Sequence, residues 1–212
     1  MQTIRCVKCG IYGCFSGKTE DRPNDCPSAS ASAEDVMKEY EGDCLRMAQV
    51  AAEVEAEGYM RWTRLEELME FSRRMGFKRL GIASCIGLKK ESISLARILE
   101  SRGFEVEGVF CKVGGVHKER IGLSRDKMLR KEGFEAMCNP VAQARLLNAA
   151  GTDLNVIMGL CVGHDIIFSQ RSRAPVTTLV VKDRVLGHNP VAAIYGAEGF
   201  YRRVYGRKDD KK

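Results

Sequence analysis

Short apolar runs that alternate with helix-forming segments constrain the fold of this chain more than any other feature. The runs read KRLGIASC, FEVEGVFC, FEAMC, LNVIMGLC and VTTLVVKDRVLGH, and the segments between them include KKESISLARILESRG and NPVAQARLLNAAG. Strands that alternate with helices are typical of parallel α/β sheets, in which right-handed crossovers leave all strand carboxyl ends on one edge. We therefore predict an α/β fold with a mainly parallel, open sheet, whose last strand is bent or forms a hairpin.

Cysteines end four of these apolar runs. They are Cys85, Cys111, Cys138 and Cys161, spaced 26, 27 and 23 residues apart, and His188 follows after another 27 residues. One strand–helix unit occupies about that length, so these residues should converge on a crevice at the carboxyl edge of the sheet. Cysteine is also a common buried residue, but the shared register favours a cofactor-binding or reactive role.

Two of these positions precede a helix-start signal. Cys138 stands before Asn139-Pro140 and His188 before Asn189-Pro190, and Val-Ala follows both prolines. Asn caps a first helical turn, and Pro suits the first helical position. A thiol at a helix N-terminus feels the positive end of the helix dipole, which favours the thiolate. Because four clustered thiolates repel one another, an empty site is expected to hold mostly neutral thiols.

A second cysteine set lies at the amino terminus. Cys6, Cys9, Cys14 and Cys26 form the pattern C-x2-C-x4-C-x11-C, in a segment with few large apolar residues. A C-x2-C pair can bind one metal ion or one cluster from a single turn, and such a segment folds only with its metal. Zinc ribbons usually have two such pairs, whereas a final Cys-Pro is typical of bacterial ferredoxins. The pattern therefore predicts one metal centre, with a [4Fe–4S] cluster preferred and zinc as the alternative.

The segment between the two cysteine sets is expected to be helical. A small polar joint, SASASAED, leads into a helix predicted from Ala33 to Glu57, with Ser32 as its N-cap. Thr63 and Glu66 have capping-box spacing and open a second helix. Cys44 lies inside the first helix and is expected to be a core residue. The predicted domains are 1–27 (metal module), 28–76 (linker and helices that pack on the core), 77–205 (α/β) and 206–212 (charged tail).

Several other polar residues stand near the predicted strand ends. His164 and His188 are candidates for proton transfer, and Lys112, Lys182 and Arg184 are candidates for holding a small anionic substrate. The catalytic candidates are His164, His188, Lys112 and Lys182. His117 lies in a glycine-rich loop and is expected to be solvated.

Composition and charge exclude some classes of protein. The formal net charge is only +6, so nucleic-acid binding is not indicated, and we predict no membrane association because no apolar run is long enough to span a bilayer. The amino terminus has no signal-peptide pattern, so we expect a cytoplasmic protein. Nine cysteines in that compartment indicate metal binding, catalysis or packing, because disulfides do not persist there.

The chain also resembles a family of small cysteine-rich proteins of anaerobic bacteria and archaea that are described as metal-binding. The resemblance rests on CVKCGIYGC, DCP, GIASCIGL, VFCKVGG, MCNPVAQA, GLCVGHD and VVKDRVLGHNP, and it covers nearly the whole chain. It implies that these cysteines bind metal, and it implies no particular reaction. Cys44 lies outside all of the matched motifs.

Two classes of function follow. In the first, the protein is an iron–sulfur protein in redox or sulfur-handling chemistry, with one or two [4Fe–4S] clusters and a redox partner protein or a small anionic substrate. In the second, it is a carrier or sensor of zinc or another metal, without catalysis. A site with three protein ligands and an open position favours the first class, and a closed four-ligand site favours the second.

Overall fold

A computed structural model describes residues 6–23, 26–29 and 33–206 of the chain. The chain divides into two compact units, Met1–Glu57 and Gly58–Lys212. The predicted cap Ser32 and most of the predicted tail, residues 207–212, lie outside the described residues. Within the described ranges, no helix has the length and apolar character needed to cross a membrane.

The first unit contains short helical elements followed by one longer helix. The α-helices are α1 (Gly13–Ser16), α2 (Ala33–Met37) and α3 (Gly42–Gly58), the last of which ends one residue into the second unit; 3-10 turns occupy Cys6–Lys8, Thr19–Asp21 and Pro27–Ala29. The single helix predicted from Ala33 to Glu57 is therefore wrong. Gly42 has a φ of +50°, outside the right-handed helical region, and the helix is interrupted there. Cys44 lies at the start of α3 and is exposed, so its expected core role is also wrong.

The second unit alternates strands and helices. Its elements are α4 (Arg64–Met75), β1 (Arg79–Ser84), α5 (Lys89–Ser101), β2 (Glu105–Phe110), α6 (Pro140–Ala150), β3 (Leu154–Met158), α7 (His164–Arg171), β4 (Val176–Val180) and α8 (Val191–Tyr195), with 3-10 turns at Ile86–Leu88, Lys118–Ile121, Arg125–Lys127 and Arg202–Tyr205. The predicted capping box opens α4: the Thr63 side chain accepts from the Glu66 N–H, and the Glu66 carboxylate accepts from the Thr63 N–H.

The four strands form one parallel sheet in the order β2-β1-β3-β4. The predicted α/β class with a parallel open sheet is thus confirmed. The chain leaves β1 in one direction to form β2, then crosses β1 to form β3 on its other side. This reversal makes a topological switch point between the ends of β1 and β3, the place where open α/β sheets bind ligands.

Apolar residues cover both faces of the sheet. On one face Leu80 and Ile82 of β1 pack with Leu95 and Leu99 of α5 and with Leu68 of α4. On the other face Ala83 and Ile157 pack with Leu147 of α6 and Phe168 of α7, and Cys85 and Cys111 belong to this second cluster. The residues of β1 alternate between the two clusters, as the twofold side-chain period of a strand requires.

One predicted strand does not form. The segment FEAMC makes a single antiparallel bridge, between Ala136 and His117, and lies in the long loop between β2 and α6. Within this loop, the Glu135 carboxylate forms an ion pair with Lys118 and accepts a hydrogen bond from the Arg130 N–H. The last predicted strand is shorter than expected: β4 ends at Val180, and VKDRVLGH forms a loop.

Candidate functional site

Backbone hydrogen bonds hold three of the predicted cysteines side by side at the carboxyl edge of the sheet. The Cys85 N–H donates to the Met158 carbonyl (3.1 Å), and the Cys111 N–H donates to the Ser84 carbonyl (2.8 Å), so each extends a strand pairing by one step. The Asn139 N–H then donates to the Cys111 carbonyl (2.7 Å), which places Cys138 beside Cys111. The sheet edge therefore positions these cysteines through the backbone.

The long loop before α6 returns Cys138 to this edge. The Met137 N–H donates to the Val116 carbonyl (2.8 Å), and the Lys118 N–H donates to the Glu135 carbonyl (3.0 Å). Asn139 then caps α6, with its side chain accepting the Ala142 N–H at 3.0 Å and Pro140 as the first helical residue. The predicted Asn-Pro helix start is confirmed here.

Three of the cysteines each have their own basic partner. Arg184 Nη2 donates to Cys161 Sγ at 3.0 Å, and Lys112 Nζ donates to Cys138 Sγ at 3.4 Å. The positive charge of Lys182 acts on Cys85, and the alkyl stem of this lysine passes Gly159, where an added Cβ would lie 3.6 Å from Lys182 Cδ. We call Cys85, Cys111, Cys138 and Cys161, with Lys112, Lys182 and Arg184, the sheet-edge centre.

Cys111 occupies the middle of the sheet-edge centre, and no lysine or arginine of the described residues donates a hydrogen bond to its sulfur. It is 2% exposed, the Ile86 N–H donates to its sulfur at 3.4 Å, and its thiol interacts with the sulfurs of Cys85 and Cys138. The two neighbouring sulfurs and burial raise the pKa of Cys111, which stays a neutral thiol. Its single proton can serve only one neighbour at a time.

The two neighbours of Cys111 carry the negative charge. The Cys111 thiol, the Gly87 N–H and Lys182 lower the pKa of Cys85 to about 5 against the opposing effect of burial. The Cys111 thiol and Lys112, with a smaller effect of His164, lower the pKa of Cys138 to about 5, again against burial. The sequence predicts mostly neutral thiols here, whereas these pKa shifts leave Cys111 neutral and place charge on Cys85 and Cys138.

Cys161 joins the centre through Arg184. Its carbonyl accepts the His164 and Asp165 N–H groups at the start of α7, at 2.9 and 3.2 Å. The bond to Cys161 raises the pKa of Arg184, and the charges of Cys85 and Cys138 add to this effect. The guanidinium therefore lies within electrostatic reach of three sulfurs, and the structure brings all four predicted cysteines to one edge.

His188 has its hydrogen bonds within the loop that carries Arg184. Its Nδ1 accepts the Asp183 N–H (3.1 Å), and its own N–H donates to the Asp183 carbonyl (2.8 Å), with a φ of +68°. The Asp183 carboxylate accepts the Val185 and Leu186 N–H groups, which closes the turn. His188 thus shapes the turn that presents Arg184 to Cys161. The second Asn-Pro does not repeat the first, because α8 begins after Pro190 and no side chain caps it.

Of the other predicted residues, His164 lies near Cys138 and His117 has a local structural role. The charge of His164 acts on Cys138, and its ring is half-buried. His117 accepts the Glu119 N–H through Nδ1 and packs on Phe134 with ring centroids 5.2 Å apart. His117 is half-buried, so the expectation that it is solvated is only partly met.

Sequence reasoning missed Gln143, which lies beneath the sheet-edge centre. Its side chain is 0% exposed, and Nε2 donates to the Val109 carbonyl at 2.7 Å and the Ser84 carbonyl at 3.2 Å. These carbonyls belong to the ends of β2 and β1, so Gln143 ties both strand ends to α6. Its Oε1 is a buried acceptor for which the described residues provide no hydrogen bond. The sequence offered one signal for this role, a glutamine among the small apolar residues at the start of the helix segment NPVAQARLLNAAG.

The amino-terminal cysteines surround one cavity in the first unit. The cavity has a volume of about 440 Å³, and Cys6, Cys9, Cys14 and Cys26 all line it, together with Lys8 and Tyr12. The Cys9 N–H donates to the Cys6 carbonyl at 3.1 Å, which closes the C-x2-C turn. None of the nine cysteines, all of which lie within the described residues, forms a disulfide. The thiols are therefore available as ligands around a shared space.

Neither cysteine set is arranged as the finished shell of a single metal ion. In the part of the chain that the structure describes, no three His, Cys, Asp or Glu side chains are grouped so that they could hold one metal ion. Single zinc ions require sulfurs about 2.3 Å from one centre.

Comparisons with known proteins give a family and no activity. Residues 26–179 match the sequence profile of a family described as "Protein of unknown function (DUF1847)". An uncharacterised protein of Methanocaldococcus jannaschii is 47% identical over 193 residues, which cover 91% of this chain and 94% of that protein. The matched profile includes Cys85, Cys111, Cys138 and Cys161 and begins at Cys26, after the other three amino-terminal cysteines.

Proposed function

The chain belongs to the family described as protein of unknown function (DUF1847), and we propose that it is a redox protein that binds an iron–sulfur cluster through Cys6, Cys9, Cys14 and Cys26. One observation carries this proposal: four cysteines from a short segment line a single cavity of about 440 Å³. A bound [4Fe–4S] cluster supplies one-electron transfer, which a redox partner protein would receive or deliver.

The residues around this cavity suit a negatively charged centre. Lys8 lines the same cavity and offers a positive charge to thiolate sulfurs. Of the four cysteines, Cys6 and Cys14 are exposed, and Gly13 is the one buried residue of α1, so the apolar contacts that stabilise the segment are few. Binding of a cluster by the thiols would contribute this missing stability. Nine cysteines proposed mainly as metal ligands and reactive thiols suit a reducing compartment, and we place the protein in the cytoplasm.

A zinc carrier or sensor is the second candidate, and one feature favours it. The tight turn between Cys6 and Cys9 is the knuckle that structural zinc sites use. The Cys26-Pro27 pair favours the cluster over this candidate, because a final Cys-Pro is typical of bacterial ferredoxins.

The test is a metal and sulfide analysis of full-length protein prepared without oxygen and reconstituted with iron and sulfide. We expect about four iron and four acid-labile sulfide per chain, as a [4Fe–4S] cluster requires. Cys9→Ser should lose most of this iron, and Cys44→Ser, which removes an exposed thiol outside both sets, should keep it. Stoichiometric zinc without sulfide would establish the second candidate. Iron that survives Cys9→Ser but not Cys138→Ser would contradict the assignment to the amino-terminal module.

A further inference from the structure

The sheet-edge centre contains a nucleophilic cysteine that takes no part in binding the proposed amino-terminal cluster. Cys85 and Cys111 are 7% and 2% exposed, whereas Cys138 and Cys161 are half-buried and accessible to a small molecule. Cys161 already accepts a hydrogen bond from a guanidinium. Cys138 combines accessibility with a lysine ammonium that donates to its sulfur at 3.4 Å. It is therefore the sulfur in the centre best placed to attack a substrate.

We propose that Cys138 accepts a sulfane sulfur atom from a small anionic donor of the thiosulfate type and holds it as a persulfide. The site lies in the unit Gly58–Lys212, and the proposal does not depend on the amino-terminal cluster. Inorganic thiosulfate is the simplest donor of this class and serves as the probe.

The charges around Cys138 select an anion. Three cations lie at this edge of the sheet: Lys112, Lys182 and the exposed Arg184. Arg184 interacts with the charges of Cys85 and Cys138 as well as with Cys161. Three cations thus balance a thiolate pair and still attract an incoming anion. Arginine and lysine are the side chains that proteins use for oxyanion groups, and a sulfonate-like end has the same chemistry as phosphate.

The transfer is balanced without any further reactant. The thiolate sulfur of Cys138 attacks the outer sulfur of thiosulfate, and a new Sγ–S bond forms. The S–S bond of thiosulfate breaks, and its electron pair leaves with sulfite. A thiolate and a dianion become a persulfide anion and a sulfite dianion, so no proton, oxidant or reductant is required.

The position of Cys111 explains why the persulfide would persist. A thiolate beside a persulfide attacks it, forms a disulfide and releases sulfide. Cys111 is 2% exposed, and because burial disfavours a thiolate it stays a neutral thiol, which is a poor nucleophile. Its S–H can instead donate a hydrogen bond to the persulfide, and Lys112 neutralises the charge. Cys111 is a positioning residue in this account.

The experiment treats full-length, anaerobically reduced protein with thiosulfate and measures released sulfite and the sites of added sulfur by peptide mass spectrometry. We expect one sulfite per chain and one added sulfur atom on the peptide that contains Cys138. Cys138→Ser should abolish both, and Cys44→Ser should leave both unchanged. Lys112→Met should slow the transfer about tenfold and move the acid limb of its pH profile to higher pH, because the thiolate loses its cation.

The wild-type peptide map decides the proposal even if a variant fails to fold. Added sulfur on Cys85 or Cys161 in place of Cys138 would overturn it. A Cys111–Cys138 disulfide with released sulfide would overturn it too, since it would make the pair a dithiol redox centre. Persulfide on Cys138 in a Cys9→Ser protein that has lost its iron would support the proposal independently of the amino-terminal cluster.

Discussion

At the residue scale, the chemistry of the sheet-edge centre depends on Cys111, whose thiol has one proton and lies between two thiolates. The charge of one lysine acts on Cys85 and that of another on Cys138. Cys111 instead interacts with these two sulfurs and accepts a hydrogen bond from the Ile86 N–H. Charge is therefore placed on the two outer sulfurs and kept off the middle one. The centre therefore places a reactive thiolate, Cys138, next to an unreactive thiol, Cys111.

The lowered pKa of Cys138 predicts an unusual pH dependence of its alkylation. Because only the thiolate reacts, the rate with iodoacetamide should be half-maximal near pH 5 and level by neutral pH, since the pKa is about 5. Lys112→Met should move the midpoint to higher pH. Lys90→Met, which removes an exposed lysine from the start of α5, is the matched control and should leave the midpoint in place. A rate that still rises above pH 8 in the wild type would contradict the assignment.

At the scale of elements, the strand ends and helix starts were open to prediction, and the loops between them were not. The four strands of the sheet and the Asn139 cap follow from apolar runs and a helix-start dipeptide. The predicted strand in FEAMC failed because Glu135 pairs with Lys118 in its own loop, a tertiary contact that no local pattern reveals. A helix also starts after the second Asn-Pro, but Asn189 does not cap it, and His188 and Asp183 form a tight turn just before it.

The two Asn-Pro sequences provide a matched test of helix capping. Asn139→Ala removes the side chain that accepts the Ala142 N–H, and should lower the free energy of unfolding by about 1 kcal/mol. Asn189→Ala removes an exposed side chain that does not cap α8, and should change it by less than about 0.5 kcal/mol. Urea unfolding of the reduced protein without oxygen measures both. Equal losses would show that the cap does not stabilise α6.

At the scale of the whole molecule, strand order explains both what the sequence predicted and what it could not. Cys85, Cys111 and Cys161 follow strands of a parallel sheet, so their meeting on one edge was predictable from the sequence, whereas Cys138 reaches that edge through a loop. The order β2-β1-β3-β4 is not readable from spacing, and it brings the loop after β4 to this edge. Lys182 and Arg184 arrive from that loop. Their role as partners of thiolates, rather than only of a substrate, depends on this topology.

X-ray absorption spectroscopy of the anaerobically prepared full-length protein tests the proposed function most directly. The account predicts iron bound by sulfur, with a second shell of neighbouring iron atoms that only a cluster produces. Zinc with a single shell of sulfur at about 2.3 Å would contradict it, as would iron without any neighbouring iron.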